Sequence, residues 1–217
     1  MRRALLPALL QAVTASGLWG QDPGPIVDRA SGAYQSLRTL RADFTQTIRD
    51  PMLGGEETSR GEYLQQRPRF AIRWRQPAGD LILSDGAALW IYLPSTQPNQ
   101  VVRQTLSDRP GETGDFLAQF LDRPRERFTL AYLRADSAGG RPADVVELTA
   151  RDRNAAYRGV TIWVDRQDAL VRRMEIAEAS GATRRIVLER LRANQAIPAA
   201  AFVFRPPAGA RVVDASH

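Results

Sequence analysis

The chain has 217 residues, 43% of them hydrophobic, and a formal net charge of +6, which suits one domain with a terminal extension. All 30 basic residues are arginines, and most lie within three residues of an acid, a pattern typical of a solvated surface rather than a nucleic-acid interface. With no cysteine and a single histidine, His217, the sequence excludes disulfides, cysteine-zinc sites and thiol catalysis, and disfavours a histidine triad. We expect no metal site, no cofactor and no enzymatic activity.

Residues 1–20 have the layout of a secretory signal peptide: two arginines, an apolar run of about a dozen residues, and small residues at the end. The run is too short to span a membrane, which takes about 20 apolar residues. The cleavage point is open, with Gly17 and Gly20 as candidates, and the alternative is a genuine N-terminal helix or anchor. Export without cysteine favours the bacterial periplasm, with residues 21–217 as a single domain.

Residues 25–40 predict an amphipathic helix that begins at Pro25. Its apolar residues share one face: Ile26, Val27, Ala30, Ala33, Tyr34 and Leu37. A second, short helix is predicted within residues 109–125, where Phe116, Leu117, Phe120 and Leu121 recur at helical spacing.

The rest of the chain alternates with period two and predicts about eleven strands in sequential, short connections. They are residues 41–50, 61–77, 80–84, 87–94, 99–106, 126–135, 143–151, 157–166, 169–178, 182–192 and 200–207. Residues 61–77 form either one long strand or two joined at Pro68, and Asp85-Gly86 marks a hairpin turn. A long antiparallel meander must curl to protect its edges, which leaves the helices to cover its mouth.

The stretch QRPRFAIRW, residues 66–74, interleaves arginines with apolar residues. Such a pattern occurs in single-stranded nucleic-acid platforms and equally in an amphipathic strand. The export signal and the dispersed arginines favour the strand. Asp43, Asp85, Glu147 and Asp165 are the candidate carboxylates for a hydrolase, but turns or solvated strand faces explain each of them.

Four sequence blocks, in this order, resemble the periplasmic outer-membrane lipoprotein carrier proteins of the LolA type. The blocks are LRADFTQT at 40–47, GEYLQQRPRF with IRW at 61–74, LILSDGAALWIYLP at 81–94 and FVFRPPAGARVVD at 202–214. The resemblance implies an incomplete antiparallel β-barrel with helices as a lid over a hydrophobic cavity.

The resemblance also implies a periplasmic carrier. Such a carrier takes acylated lipoproteins from an inner-membrane ATP-driven transporter and delivers them to an outer-membrane acceptor. We expect a monomer that binds no nucleic acid. The alternative is a periplasmic lipid- or lipopeptide-binding or sensing module on the same fold, with a different amphiphilic ligand.

The lipid-binding candidates are the large apolar residues of the predicted inner faces, and ordinary core packing is the alternative for each. They are Ile26, Tyr34, Leu37, Phe70, Ile72, Trp74, Trp90, Tyr92, Phe116, Leu117, Phe120, Ile162 and Met174. By resemblance, Arg67 is a lid latch that bonds helix carbonyls in the closed state, and the alternative is a surface arginine. Arg67 and Trp74 are an odd number of residues apart, so the latch role requires a β-bulge near Pro68.

Overall fold

The computed structural model describes residues 21–52, 54–106 and 115–215. The predicted signal peptide, residues 1–20, lies outside the described residues. The first helix, α1, spans Pro23–Ser36, and the Asp22 side chain caps it by accepting a hydrogen bond of 2.9 Å from the Gly24 amide. Leu37 is extended, so α1 ends four residues earlier than predicted.

Twelve strands follow, and their alternation matches the predicted pattern over most of the chain. They are β1 (Leu40–Arg49), β2 (Glu56–Gln66), β3 (Arg69–Gln76), β4 (Ala78–Ser84), β5 (Ala88–Tyr92), β6 (Gln100–Thr105), β7 (Phe128–Ala138), β8 (Arg141–Ala150), β9 (Tyr157–Asp165), β10 (Val171–Glu178), β11 (Thr183–Ala193) and β12 (Arg211–Ala215). Two short helices, α2 (Ala118–Leu121) and α3 (Pro124–Arg127), lie between β6 and β7.

All twelve strands form one sheet in the order β12-β6-β5-β4-β3-β2-β1-β11-β10-β9-β8-β7. Because β1 pairs with both β2 and β11, the two consecutive meanders join at the middle of the sheet. The edges are β7 and β12, which do not pair with each other. The sheet is therefore curled but unclosed, and the predicted incomplete β-barrel is confirmed.

The C-terminal part differs from the prediction. Residues 200–207 are not a strand: Ala199–Phe202 form a 3-10 helix, and residues 203–207 have no regular structure. The last strand is instead β12, which pairs in parallel with β6, so the sheet is not wholly antiparallel. Residues 61–77 form two strands, since Arg67 and Pro68 make the turn between β2 and β3.

Each face of the sheet carries its own apolar cluster. On the inner face, residues of α1, α2 and both meanders form the main core, with Val27, Tyr63 and Phe120 completely buried. On the outer face of β2–β4, Leu64, Ala71 and Leu83 pack under Phe202 of the 3-10 helix. In the described ranges no helix has the length and apolar character needed to cross a membrane.

Candidate ligand-binding site

An apolar cavity of about 300 Å³ lies on the inner face of the sheet. It is lined by strands from both meanders, by α2 and the turn before it, and by the loop between β8 and β9. The lining residues are Phe44, Gln46, Ile72, Trp74, Ile82, Phe116, Gln119, Ala156, Tyr157, Ile176, Glu178, Arg184 and Ile186. This position between the sheet and its helical cover is where the alternation of β1, β3 and β10 directs apolar side chains.

One wall of the cavity is an aromatic pair. The rings of Phe44 and Trp74 meet edge to face with centroids 5.6 Å apart. Gly61 permits this contact, because a Cβ there would lie 2.1 Å from the Arg73 carbonyl oxygen and 2.6 Å from a carbon of the Phe44 ring. The Trp74 indole donates a hydrogen bond of 3.2 Å to the Ser59 hydroxyl, which fixes the ring at the wall.

Polar side chains are also present in this cavity. Arg184 donates to the Glu178 carboxylate at 3.0 and 2.6 Å, and Gln46 and Gln119 also line the cavity. A ligand with an apolar tail and a polar linkage could therefore meet both of its parts here, since paired charges and amides supply hydrogen-bond partners beside an apolar wall.

We define the lid as α1 together with residues 115–127. Its two parts are bonded to each other: the Ser31 hydroxyl donates to the Leu121 carbonyl at 2.7 Å, and Arg125 donates to both oxygens of Asp28 at 2.7 and 2.5 Å. Arg127 donates to the Gln119 carbonyl at 2.7 Å. The contacts of Ser31 and Asp28 join the two parts across a long separation in sequence, and that of Arg127 holds the second part together, so the lid is one packed unit.

A second cavity, of about 520 Å³, lies where the lid meets the turn between β2 and β3. We call this place the lid seam. Its lining combines aromatic and charged side chains: Tyr34, Gln35, Arg67, Pro68, Phe70, Asp115, Ala118 and Asp122.

Arg67 projects from the β2–β3 turn onto α1. Its Nη2 donates a hydrogen bond to the Gln35 carbonyl oxygen, and its guanidinium carbon lies 5.2 Å from the centroid of the Tyr34 ring. No bulge at Pro68 is needed, because the register runs directly from Gln66 opposite Arg69. Because the chain turns at residues 67–68, the number of residues between Arg67 and Trp74 does not determine whether their side chains lie on the same face of the sheet.

A carboxyl group, Asp115, is buried at the seam. It accepts hydrogen bonds of 2.9 Å from the hydroxyls of Tyr34 and Tyr63, and of 2.9 and 3.4 Å from the amides of Leu117 and Ala118. Burial raises its pKa, an effect that these hydrogen bonds oppose. Burial, followed by the nearby Asp115 charge, raises the pKa of both tyrosines, so both remain hydroxyl donors.

Most of the predicted lining residues belong to the inner cluster. They are Ile26, Tyr34, Leu37, Phe70, Ile72, Phe116, Leu117, Phe120, Ile162 and Met174, with Trp74 packed against them. Only Ile72, Trp74 and Phe116 line the 300 Å³ cavity, and Tyr34 and Phe70 line the seam cavity. Ile162 and Met174, at 0% and 1% exposure, are buried in the core of the closed structure.

Trp90 and Tyr92 lie on the outer face, so the prediction that they line the cavity is wrong. Both rings have centroids 5.8 Å from that of Phe204. Trp90 pairs with Leu83 in the register, whereas Ile91, on the opposite face of β5, packs against the inner cluster. The two aromatics pack against the C-terminal segment because that segment covers the outer face of β4 and β5.

Sequence reasoning missed several members of the site. Phe44 and Ile176 occupy alternating apolar positions in their strands, a signal that could have identified them. Ile82 and Ile186 lie in continuous apolar runs, which do not show which residue points inward. Asp115 had no such signal, since a single acid before an apolar run is also an ordinary helix cap.

The fold is that of a half-barrel protein. Its sheet is curled but unclosed, and a helical lid covers the apolar cavity on its inner face. The sequence profile of the outer membrane lipoprotein carrier protein LolA family matches residues 35–205, and the chain belongs to that family.

Individual relatives match over nearly the whole chain. The outer-membrane lipoprotein carrier protein of Leptothrix cholodnii is 30% identical over 98% of this chain and 97% of its own. The protein of the same name from Chromobacterium violaceum is 27% identical over 97% and 98%.

Solved structures share the fold at low sequence identity. An uncharacterized conserved protein from Thermus thermophilus is 15% identical, with a TM-score of 0.57 over 90% of this chain and 100% of its own. The Pseudomonas aeruginosa MucA/MucB complex contains a chain that is 17% identical, with a TM-score of 0.50 over 88% of this chain and 63% of its own.

Proposed function

We propose that this protein is a periplasmic carrier that shelters the acyl chains of lipoproteins on their way from the inner to the outer membrane. The observation that carries the proposal is the apolar cavity between the inner face of the sheet and the lid, in a member of the lipoprotein carrier family. The names of its relatives support the cargo class.

The physical need for such a cavity follows from the cost of exposing acyl chains to water. Burial of each methylene is worth about 0.8 kcal/mol, so a chain of about 15 methylenes costs roughly 12 kcal/mol to expose. A carrier must therefore provide an apolar cavity whose contacts with the acyl chain stabilise it by a comparable free energy. The closed cavity is small for such a ligand, so we infer that the lid moves outward on loading. That movement would uncover Phe70 on the inner face of the sheet and Phe116 on the sheet-facing side of the lid.

Release requires an interaction that favours the empty, closed state. The hydrogen bond from Arg67 to the Gln35 carbonyl is of this kind, because outward movement of α1 would break it. The guanidinium keeps its charge and all of its donors at any working pH, so this contact is available whenever α1 lies against the β2–β3 turn. Arg67 would thus act as the lid latch that the family resemblance implies, and it would raise the free energy of the loaded form relative to the empty one.

The proposed partners are an inner-membrane ATP-driven transporter that supplies the lipoprotein and an outer-membrane acceptor that receives it. The carrier would act as a monomer and perform no covalent chemistry, since transfer only exchanges one apolar environment for another.

The test is extraction of a lipoprotein from membranes. Purified protein is added, with ATP, to inner-membrane vesicles that contain the transporter and an acylated lipoprotein, and soluble complexes are separated by size. We expect a complex of one carrier with one acylated lipoprotein and none with the same lipoprotein lacking its acyl chains.

Absence of a soluble complex, or equal binding of the unacylated form, would overturn the carrier role. Recovery of a different amphiphile from the purified protein, without any lipoprotein complex, would instead establish the alternative lipid- or lipopeptide-binding module.

A further inference from the structure

Asp115 lies at the junction of three elements that are far apart in sequence. Tyr34 belongs to α1, Tyr63 belongs to β2, and Asp115 leads into α2 through its bonds to the Leu117 and Ala118 amides. Asp115 is 3% exposed and Tyr63 is completely buried. Asp115 therefore joins both parts of the lid to the sheet.

The opposite side of the lid is attached by other contacts. There α3 continues directly into β7, Arg127 donates to the Tyr157 hydroxyl at 2.9 Å, and Arg29 lies 3.9 Å from the Asp144 carboxylate. The chain itself thus joins the lid to the sheet at two described places, from α3 into β7 and from α1 through residues 37–39 into β1. At β2–β3 the lid is held by side-chain contacts.

We propose that the lid opens at the lid seam, and that the hydrogen bond from Tyr63 to Asp115 is a second attachment that holds it closed. Arg67 attaches α1, and Tyr63 attaches the segment that contains α2. The seam cavity already separates lid and sheet between these two attachments. Opening there breaks these hydrogen bonds and separates the rings of Tyr63 and Phe116, whose centroids are 4.6 Å apart. The chain connections from α1 to β1 and from α3 to β7 then stay in place as hinges.

Tyr34 provides a matched control for Tyr63. Both hydroxyls donate to the same carboxylate at 2.9 Å and both are buried. The bond from Tyr34, however, lies within the lid, between α1 and Asp115. Tyr63→Phe removes the hydrogen bond from the sheet to Asp115, while Tyr34→Phe keeps it, and each change removes one oxygen atom. The two hydroxyls also interact with each other, and both variants lose that contact equally.

This inference rests on the proposed carrier function, because lid opening is useful only if a ligand enters. Its test, however, needs no lipoprotein. The chain has no cysteine, so a single introduced thiol can report opening. Ala42 is 1% exposed in the inner cluster and pairs with Tyr63 in the register, so Ala42→Cys reports access beneath the lid. Ala143 is completely buried in a cluster that includes Trp163 and is separate from the lid cluster. Ala143→Cys therefore reports unfolding of the sheet.

The rate of thiol modification by a maleimide is measured for both reporters under native conditions. We expect Tyr63→Phe to raise the rate at position 42 about tenfold, since loss of a hydrogen bond to a buried carboxyl group changes an equilibrium by about that factor. Tyr34→Phe should change it less than about threefold, and the rate at position 143 should stay the same.

Three results would overturn the proposal. They are an unchanged rate at position 42 in Tyr63→Phe, an equal rise in Tyr34→Phe, and a parallel rise at position 143, which would mean global unfolding. None of these results would bear on lipoprotein extraction, so failure here and failure of the carrier role are distinguishable.

Discussion

The guanidinium of Arg67 lies over the ring of Tyr34, 5.2 Å from its centroid, while its Nη2 donates to the carbonyl oxygen of the next residue, Gln35. One side chain of the β2–β3 turn thus contacts both the aromatic and the backbone surface of the last turn of α1. Both contacts exist only when α1 lies against the sheet, so both oppose opening of the lid.

Arg67→Leu is expected to hold cargo more tightly and to release it poorly. An exposed guanidinium hydrogen bond with a cation–π contact is worth about 1–2 kcal/mol, so the affinity for an acylated lipoprotein should rise about tenfold. The measurement is the rate of transfer from the preformed complex to outer-membrane vesicles containing the acceptor.

Arg67→Lys is the control for charge. It retains the positive charge but loses the planar fork of donors, and we expect an intermediate transfer rate. Normal transfer by Arg67→Leu would contradict the latch role while leaving the fold and the cavity unaffected.

Two of the tryptophans, which lie on opposite faces of the sheet, test which face binds the ligand. Trp74 lines the inner cavity beside Phe44, and Trp90 packs against Phe204 on the outer face. We expect Trp74→Ala to weaken binding of an acylated lipopeptide about 5- to 30-fold, as its apolar contact is worth about 1–2 kcal/mol. Trp90→Ala should leave the dissociation constant within about twofold while lowering stability by a few kcal/mol. A larger binding defect in Trp90→Ala would place the ligand on the outer face.

The period-two pattern predicted the strands well because most of them are polar on one face and apolar on the other. β1 shows this clearly: Phe44 points inward while Asp43 accepts a hydrogen bond from Arg75 on the outer face. The sequence of such a strand therefore predicts which residues point inward, since only its apolar face can contact the core.

The pattern failed where both faces of the sheet are covered. The stretch LILSDGAALWIYLP is apolar almost throughout, so its pattern does not show whether Trp90 or Ile91 points inward. The choice depends on residues 197–204, which cover the outer face of β4 and β5. These segments are about a hundred residues apart in sequence, so the hydrophobic pattern of β4 and β5 alone cannot predict the contact between them.

The buried polar contacts of the lid were likewise beyond sequence reasoning. Nothing local distinguishes Asp115 from the acids of the surface, because its burial depends on Tyr34 and Tyr63 reaching it from two other elements. Arg67 was identified through the family resemblance, and its contact with α1 depends on the turn that ends β2.

Gly61 is expected to tolerate no side chain, because a Cβ would meet the Arg73 carbonyl and the Phe44 ring. We predict that Gly61→Ala lowers the free energy of unfolding by about 2–3 kcal/mol, since one strand must shift away from its neighbour. Gly32→Ala is the control: a Cβ there meets nothing within 4 Å, and alanine in α1 should add up to about 1 kcal/mol. Urea unfolding of both variants measures the difference, and equal stabilities would contradict the close approach at Gly61.

We predict that the contacts of Asp165, which join β8, β9 and β10, lose their contribution to the free energy of unfolding at acidic pH. Burial opposes its ionisation, but hydrogen bonds from Arg141 and from the amides of Gln167 and Asp168, with the charge of Arg172, hold its pKa well below the usual range. The carboxylate side chain is 1% exposed, and Arg172 Nε lies 3.1 Å from it. A depressed pKa means that this stabilisation is fully present above the unfolded-state value of about 3.9 and is lost as the pH falls below it.

Asp165→Asn should therefore cost about 1–3 kcal/mol at pH 7, since it removes the carboxylate charge from Arg141 and Arg172, whose side chains are 38% and 12% exposed. As the pH falls from 4 towards 2, the wild-type protein should lose stability faster than the variant, and the two curves should converge. Asp152→Asn, at an exposed turn, controls for a general charge effect and should run parallel to the wild type. Unfolding free energies measured between pH 2 and 7 decide the matter, and a constant gap between the wild type and Asp165→Asn would contradict the depressed pKa.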